Sequence, residues 1–219
     1  PSNPTGAVYR KETLEAIARV AVVRNIMVLA DEIYEKLVYD ANAPHISIAS
    51  LNPEIADLTI TCNGFSKTYS MTGWRLGYLT APLWLAKRII AFQSHSTSNP
   101  TTFVQWAGIT ALKEASADVE RMRKAFAERR DLIYNLISEI DGVKCIRPQG
   151  AFYLFCDISS FGLKSDEFCE RLLAEEMLGV IPGKGFGADG CIRLSYACSE
   201  SMIREAARRL AKFCAALRK

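Results

Sequence analysis

Apolar residues at Leu14, Ile17, Ala18 and Ala21 recur at helical spacing and predict a helix over 11–24. A continuously apolar run at 26–30 follows, closed by Asp31 and Glu32, and similar runs occupy 58–62 and 77–81, the last ended by Pro82. A helix feeding into fully apolar strands is the pattern of a parallel sheet covered on both faces. Two further helices are predicted over 83–92 and 102–114. The longest periodic segment spans 118–140, where Val119, Met122, Phe126, Ile133, Leu136, Ile137 and Ile140 trace one stripe and arginines and glutamates fill the other face. Asp141-Gly142 stops it. Beyond that point the pattern changes to short strands at 143–146, 151–157 and 192–197, a helix near 165–176 and a final helix capped by Ser199. This change places a domain boundary within the long helix near residue 125. Residues 1–125 then read as an α/β domain with a mostly parallel sheet, and 126–219 as a small α+β domain. There is no internal repeat or low-complexity stretch.

Composition narrows the function classes. With 219 residues, 49% of them hydrophobic, the chain can bury a sizeable core. The net charge is +3, with Lys and Arg scattered among Asp and Glu, so no nucleic-acid partner is expected. No apolar run approaches the ~20 residues that cross a bilayer, so no membrane partner is expected either. Seven cysteines form no C-x-x-C pair, and with two histidines they make no zinc constellation, so no metal is expected. Cys62 and Cys156 lie in apolar runs, as reduced buried thiols do, which favours a cytoplasmic compartment. Pro1-Ser2-Asn3-Pro4-Thr5-Gly6 is neither a translation start nor a signal peptide, and reads as a turn from the middle of a longer protein.

The candidate chemistry centres on Lys67, in Asn63-Gly64-Phe65-Ser66-Lys67-Thr68-Tyr69, between two apolar strands. A lysine with its ordinary pKa of about 10.4 is a poor nucleophile at neutral pH. At the end of a buried strand, beside cationic or polar groups, it can lose that proton and form a Schiff base. Ser66 and Arg75 are the anchors a phosphate-bearing aldehyde would need. Asp31 and Tyr34 follow a buried strand, and ligands of open parallel sheets sit at the carboxyl ends of strands. A carboxylate there can keep a ring nitrogen protonated and a phenol can reach the same ligand; equally, Asp31 can cap the next turn and Tyr34 can pack. Asn3 stands in a run of turn formers, where a structural role is the default. Arg193 should face away from Ile192 and Leu194, either offering its planar fork to a carboxylate or standing solvated. Gly185 to Gly190 spell G-x-G-x-x-G but precede a strand, so they read as a turn and not a dinucleotide loop. Ser66, His45 and His95 suggest no hydrolase triad, because no nucleophile-elbow glycine pair surrounds a serine.

In order along the chain, these segments resemble the fold type I pyridoxal-phosphate aminotransferases, the class that includes aspartate aminotransferase. The resemblance rests on Ser-Asn-Pro-Thr-Gly at 2–6, Asp31-x-x-Tyr34, Ser66-Lys67 with Gly73-x-Arg75-x-Gly77-Tyr78, and Arg193-Leu194-Ser195. It covers the whole chain. It implies the C-terminal part of the large cofactor-binding α/β/α domain followed by the small domain. Lys67 would form the Schiff base with pyridoxal 5'-phosphate and act as the proton-shuttling base. Asp31 would pair with the pyridinium nitrogen, and Tyr34 and Asn3 would hydrogen-bond the ring's 3-oxygen. Ser66 and Arg75 would grip the phosphate, and Arg193, with Asn3, would bind the substrate's carboxylate.

The reaction implied is a ping-pong exchange of an amino group between an amino acid and a 2-oxo acid, in a homodimer. Gly64-Phe65-Ser66-Lys67 and Phe152-Tyr153 resemble the aspartate and aromatic branch. The expectation is a fragment lacking the family's front half, with its phosphate-cradling helix, ring-stacking aromatic and subunit-pairing arm, and so one that can be inactive alone. Two other readings stay open: a carbon–sulfur β-lyase with the same cofactor set, and a non-catalytic aminotransferase-like effector domain of a regulator. What precedes Pro1 separates the last from the enzyme readings.

Overall fold

In the computed structural model, which describes residues 1–40 and 43–218, helix α1 (Lys11–Arg24) buries Leu14, Ala18 and Ala21 along one stripe. The described residues divide into two compact units: Pro1 with Val8–Met122, and Ser2–Ala7 with the chain from Arg123 onward.

In the first unit, α1 ends at Asn25, which takes the left-handed conformation with φ 51°. The Ile26 amide then bonds the Ala21 carbonyl at 2.8 Å. Ile26 is therefore spent on closing the helix, and strand β1 (Val28–Asp31) starts two residues later than its apolar run. A short helix α2 (Pro53–Ala56), capped by the Asn52 side chain, leads into β2 (Thr59–Gly64). β2 runs parallel to β1, with Val28 opposite Thr59 and Asp31 opposite Cys62. β3 (Gly77–Thr80) returns antiparallel to β2, closing on the pair Gly64 and Gly77. The sheet order is β1-β2-β3. A parallel third strand would need a crossover, usually an α-helix, and the loop at 65–76 holds only a 3-10 turn, Thr72–Trp74.

One face of this sheet carries the core: Leu14, Ala18, Ala21, Ile48 and Ile55, with Val28, Ala30 and Leu58 packed against them. On the other side Leu29 is 70% exposed. Helix α3 (Leu83–Ser96) buries no residue, and α4 (Thr102–Glu114) buries Val104 and Gly108. Trp84, Phe92, Phe103 and Trp106 stand exposed. Among the described residues, the sheet that the apolar runs predict to be covered on both faces is covered on one.

Helix α5 (Ser116–Ser138) passes from the first unit into the second. In the second unit, β4 (Lys144–Cys145), β5 (Tyr153–Asp157), β6 (Ile181–Pro182) and β7 (Cys191–Ser195) form a sheet of order β4-β5-β7-β6 in which every pairing is antiparallel. Inward residues Leu154, Cys156, Ile192 and Leu194 meet the buried faces of α6 (Ser165–Glu176) and α7 (Glu200–Ala216). Phe168 of α6 and Phe213 of α7 pack edge to face at 5.1 Å. Ser199 caps α7, accepting from the Met202 amide, as its sequence position predicts. β5 starts at Tyr153 rather than 151 because Ala151 sits at φ 57°, outside strand geometry; the buried Tyr196 hydroxyl donates to its carbonyl at 3.1 Å.

The loop at 2–7 docks onto this unit through Gly6. Its carbonyl accepts from the amides of Gln149 and Gly150, both at 2.9 Å. Gly6 has φ +68°, and a Cβ there would lie 2.5 Å from Pro148 Cβ. Only glycine allows the loop to approach so closely.

Candidate active site

Asp31 ends β1 and Lys67 lies in the turn just after β2, so the parallel pairing of these strands brings both to the same, carboxyl, end of the sheet. Asp31 is exposed, and its Oδ1 accepts from the Ile33 amide at 3.1 Å. It thus caps the following turn while its carboxylate still reaches solvent. Tyr34 is 5% exposed and belongs to the core. Ser66 and Lys67 are half-buried.

The Lys67 turn is pinched at its neck by two glycines. A Cβ on Gly64 would meet Gly77 Cα and the Leu76 carbonyl at 3.1 Å, and one on Gly77 would meet the Asn63 carbonyl at 3.2 Å. Inside the turn, the amides of Tyr69 and Met71 both bond the Phe65 carbonyl. Phe65 is buried against Tyr69 at 5.5 Å and Tyr78 at 5.9 Å. Burial, with the Glu35 carboxylate nearby, raises both tyrosine phenols above their ordinary range. At the far end of the loop Arg75 is exposed, adopts φ 54° and donates from Nη1 to the Thr72 carbonyl at 3.0 Å. It lines a groove of about 810 Å³ with Trp74, Gln93, Asn99, Thr101 and Phe103.

Behind Asp31, Glu32 is buried and pairs with His45 Nε2 at 3.0 Å. Burial pushes this carboxyl up, but hydrogen bonds from His45 and Ser47 outweigh it and hold its pKa below the ordinary value. The fold also brings Glu35 in, so that ligand-type atoms of Glu32, Glu35 and His45 lie within 4.8 Å of one another. Residue spacing gave no sign of this cluster. The acid–imidazole hydrogen bond joins Glu32 and His45, and Glu35 pairs with Lys36 at 3.6 Å.

In the second unit, Arg193 lies on β7 opposite Phe155 and Ile181. Its neighbours Ile192 and Leu194 face the core, as the alternation predicts. Its guanidinium lies 4.5 Å from the Tyr153 ring centroid and 5.0 Å from that of Phe186, and Nη1 donates to Asn3 Oδ1 at 2.6 Å. Two rings and an amide thus hold the fork in one place. Asn3 itself is held by the loop that Gly6 anchors. Sequence reasoning missed Phe186 and Tyr153 as supports, because only the sheet brings them beside residue 193. The G-x-G-x-x-G segment overlaps a 3-10 turn, Gly183–Phe186, ahead of β7.

The model of the family described as aminotransferase class I and II matches residues 1–210. The chain belongs to this family. An aspartate aminotransferase of Bacillus sp. (strain YM-2) is 49% identical over 218 residues, covering 97% of this chain and 55% of the relative. Aromatic-amino-acid aminotransferase 2 of Thermococcus litoralis is 44% identical over 216 residues, with the same coverage of both. Among solved structures, the aromatic aminotransferase from Pyrococcus horikoshii OT3 superposes with a TM-score of 0.93 at 44% identity, covering 97% of this chain and 57% of that one. The aspartate aminotransferase from Thermus thermophilus with maleate gives 0.91 at 42% identity, over 97% and 55%. The chain thus spans about half the length of the class I and II aminotransferases it matches.

The cofactor of this family is pyridoxal 5'-phosphate. The donor set fits it: an amine and a carboxylate share one end of the first unit's sheet, next to a serine hydroxyl, and an exposed arginine closes the same loop. No helix among the described residues is long and apolar enough to cross a membrane.

Proposed function

We propose that the protein carrying this chain is a pyridoxal-phosphate-dependent aminotransferase of the aspartate or aromatic type, exchanging an amino group between an L-amino acid and a 2-oxo acid. The observation that supports it most directly is Lys67, held in a glycine-pinched turn at the carboxyl end of β2 beside the end of β1 that carries Asp31. The names of the relatives support the substrate class.

Within the first unit, taken as the cofactor-binding domain over 1–125, Lys67 Nζ would hold the cofactor and would carry a proton at the substrate's α-carbon. The Asp31 carboxylate would accept from the ring's N–H, and Tyr34 would donate to the ring's 3-oxygen. The Ser66 hydroxyl and the Arg75 guanidinium donate to the phosphate. The bound cofactor supplies an electron-withdrawing ring that stabilises negative charge at that carbon. In the second unit, over 126–219 with the loop at 2–7, the Arg193 fork would bind the substrate's α-carboxylate, and Asn3 orients that fork. A cytoplasmic homodimer belongs to the same reading; seven unpaired thiols support the reducing compartment.

The test is reductive trapping. Incubation with pyridoxal 5'-phosphate followed by borohydride should attach the cofactor to the peptide containing Lys67, and Lys67→Ala should abolish the label. Equal labelling of that variant, or a label on other lysines only, would refute the assignment. Amino-donor assays on the whole protein then test the substrate class.

A further inference from the structure

The second unit holds a pair of thiols outside the site described above. β4 and β5 are antiparallel neighbours, and Cys145 and Cys156 are direct partners across them. Direct partners point to the same face, with Cα atoms about 4.5–5.5 Å apart, inside the window of about 4.4–6.8 Å that a disulfide spans. β4 has two residues and lies at the sheet edge, so it can shift slightly without disturbing β5 and β7. Cys156 is fully buried, whereas Cys145 is half-buried and open to a small reagent.

We propose that Cys145 and Cys156 form a reversible oxidation site, in which a hydroperoxide converts the cross-strand dithiol into an intrachain disulfide. The Cys145 thiolate attacks the peroxide oxygen, the O–O bond breaks, and the departing oxygen leaves as hydroxide and takes up a proton as water. The Cys156 sulfur then attacks the resulting sulfenic acid, forming the S–S bond. The sulfenic oxygen leaves with the Cys156 proton as a second water. With hydrogen peroxide, two thiols are oxidised by two electrons and the peroxide is reduced to two waters. An external dithiol returns the pair by exchange.

The division of roles follows from the environment. The Cys156 side chain lowers the Cys145 pKa below that of an ordinary thiol, and the Cys145 side chain, with burial, raises that of Cys156. Burial pushes up the thiols of Cys62, Cys169, Cys191, Cys198 and Cys214, with Cys169 reaching about 11 and Cys214 about 12. Cys145 is thus the thiol of the seven best placed to react first. Cys191 does not compete as resolving partner, because it sits opposite Asp157 and so points to the other face of the sheet. The disulfide would close the loop containing Gln149 and Gly150, whose amides hold Gly6 and with it the Asn3 turn.

The experiment treats the full chain with equimolar hydrogen peroxide, alkylates the remaining thiols and digests with trypsin without reductant. Arg147 precedes Pro148, so both cysteines stay on the peptide 145–164. That peptide should lose two hydrogens and take up no alkyl groups, and the thiol count should fall from seven to five per chain. A dithiol should restore both values. Cys145→Ser should abolish the loss of Cys156, Cys156→Ser should leave a sulfenic acid at residue 145 that dimedone traps, and Cys191→Ser should behave as the parent. Should Cys156→Ser fail to fold, the parent peptide and Cys145→Ser still decide. Retention of all seven thiols would overturn the proposal. So would sulfinic acid at Cys145 with Cys156 still reduced, or linkage of Cys156 to Cys214 or between two chains.

Discussion

Replacing Gly6 by alanine should weaken the docking of the loop at 2–7 on the second unit. The new Cβ would lie 2.5 Å from Pro148 Cβ and 2.8 Å from the Gly150 carbonyl, at a backbone φ of +68°. The left-handed conformation costs a residue with a side chain about 1–2 kcal/mol, and overpacking against backbone atoms adds about 1–3 kcal/mol. Keeping the loop docked would thus cost about 2–5 kcal/mol. Lifting it off sacrifices the two bonds from Gln149 and Gly150 to the Gly6 carbonyl, each worth about 0.5–1.5 kcal/mol. Lifting off also breaks the Arg193 bond to Asn3, worth about 1.5–3 kcal/mol more, so staying docked and lifting off cost about the same and either response weakens the docking. Hydrogen exchange should therefore show the Gln149 and Gly150 amides opening about 10- to 100-fold more often, while urea unfolding of the remainder changes little. Gly162→Ala is the control: its φ is +70° but no atom lies within 4 Å of the added Cβ. It should leave both amides protected. Parent-like protection of Gln149 and Gly150 in Gly6→Ala would refute the close-approach argument.

Tyr196→Phe removes a buried hydroxyl from the Ala151 carbonyl, so urea unfolding should register a loss of about 1–3 kcal/mol. Glu32 has its pKa lowered when folded, so its contribution is present above the unfolded value near 4.5 and lost as pH falls through the folded one. Acid titration of stability should accordingly show a smaller loss below pH ~4.5 for Glu32→Gln than for the parent; identical slopes would contradict this. Arg193→Ala should weaken binding of a dicarboxylate such as maleate by cofactor-loaded protein at least ~10-fold by calorimetry, about 1.4 kcal/mol. Unchanged affinity would remove Arg193 from the carboxylate site. Gly108→Ala would place a Cβ 2.6 Å from Leu76 Cδ2 and 3.2 Å from the Phe65 ring, and should disturb the Lys67 turn, seen as altered near-ultraviolet dichroism of Phe65, Tyr69 and Tyr78.

The long helices were legible in the sequence because a 3.6-residue period sustained over a dozen or more residues arises almost only from an amphipathic helix. α1, α4 and α6 match their predicted spans, and the strands fall within two residues of their apolar runs. α2 and β6, of four and two residues, are too short to show a period and were not visible. The antiparallel return of β3 is a matter of strand pairing and could not be read from the strand's own residues.

The family and the candidate residues are written in local sequence, because Lys67, Asp31 and Arg193 are set in short motifs whose order along the chain is informative. The surroundings of those residues come from the tertiary fold. It set Arg193 between Tyr153 and Phe186 with its fork on Asn3, buried Glu32 against His45, and placed Cys145 across from Cys156. Each of these contacts joins residues of different elements or loops. Strand register and burial create them, and neither can be read from the spacing of any one segment.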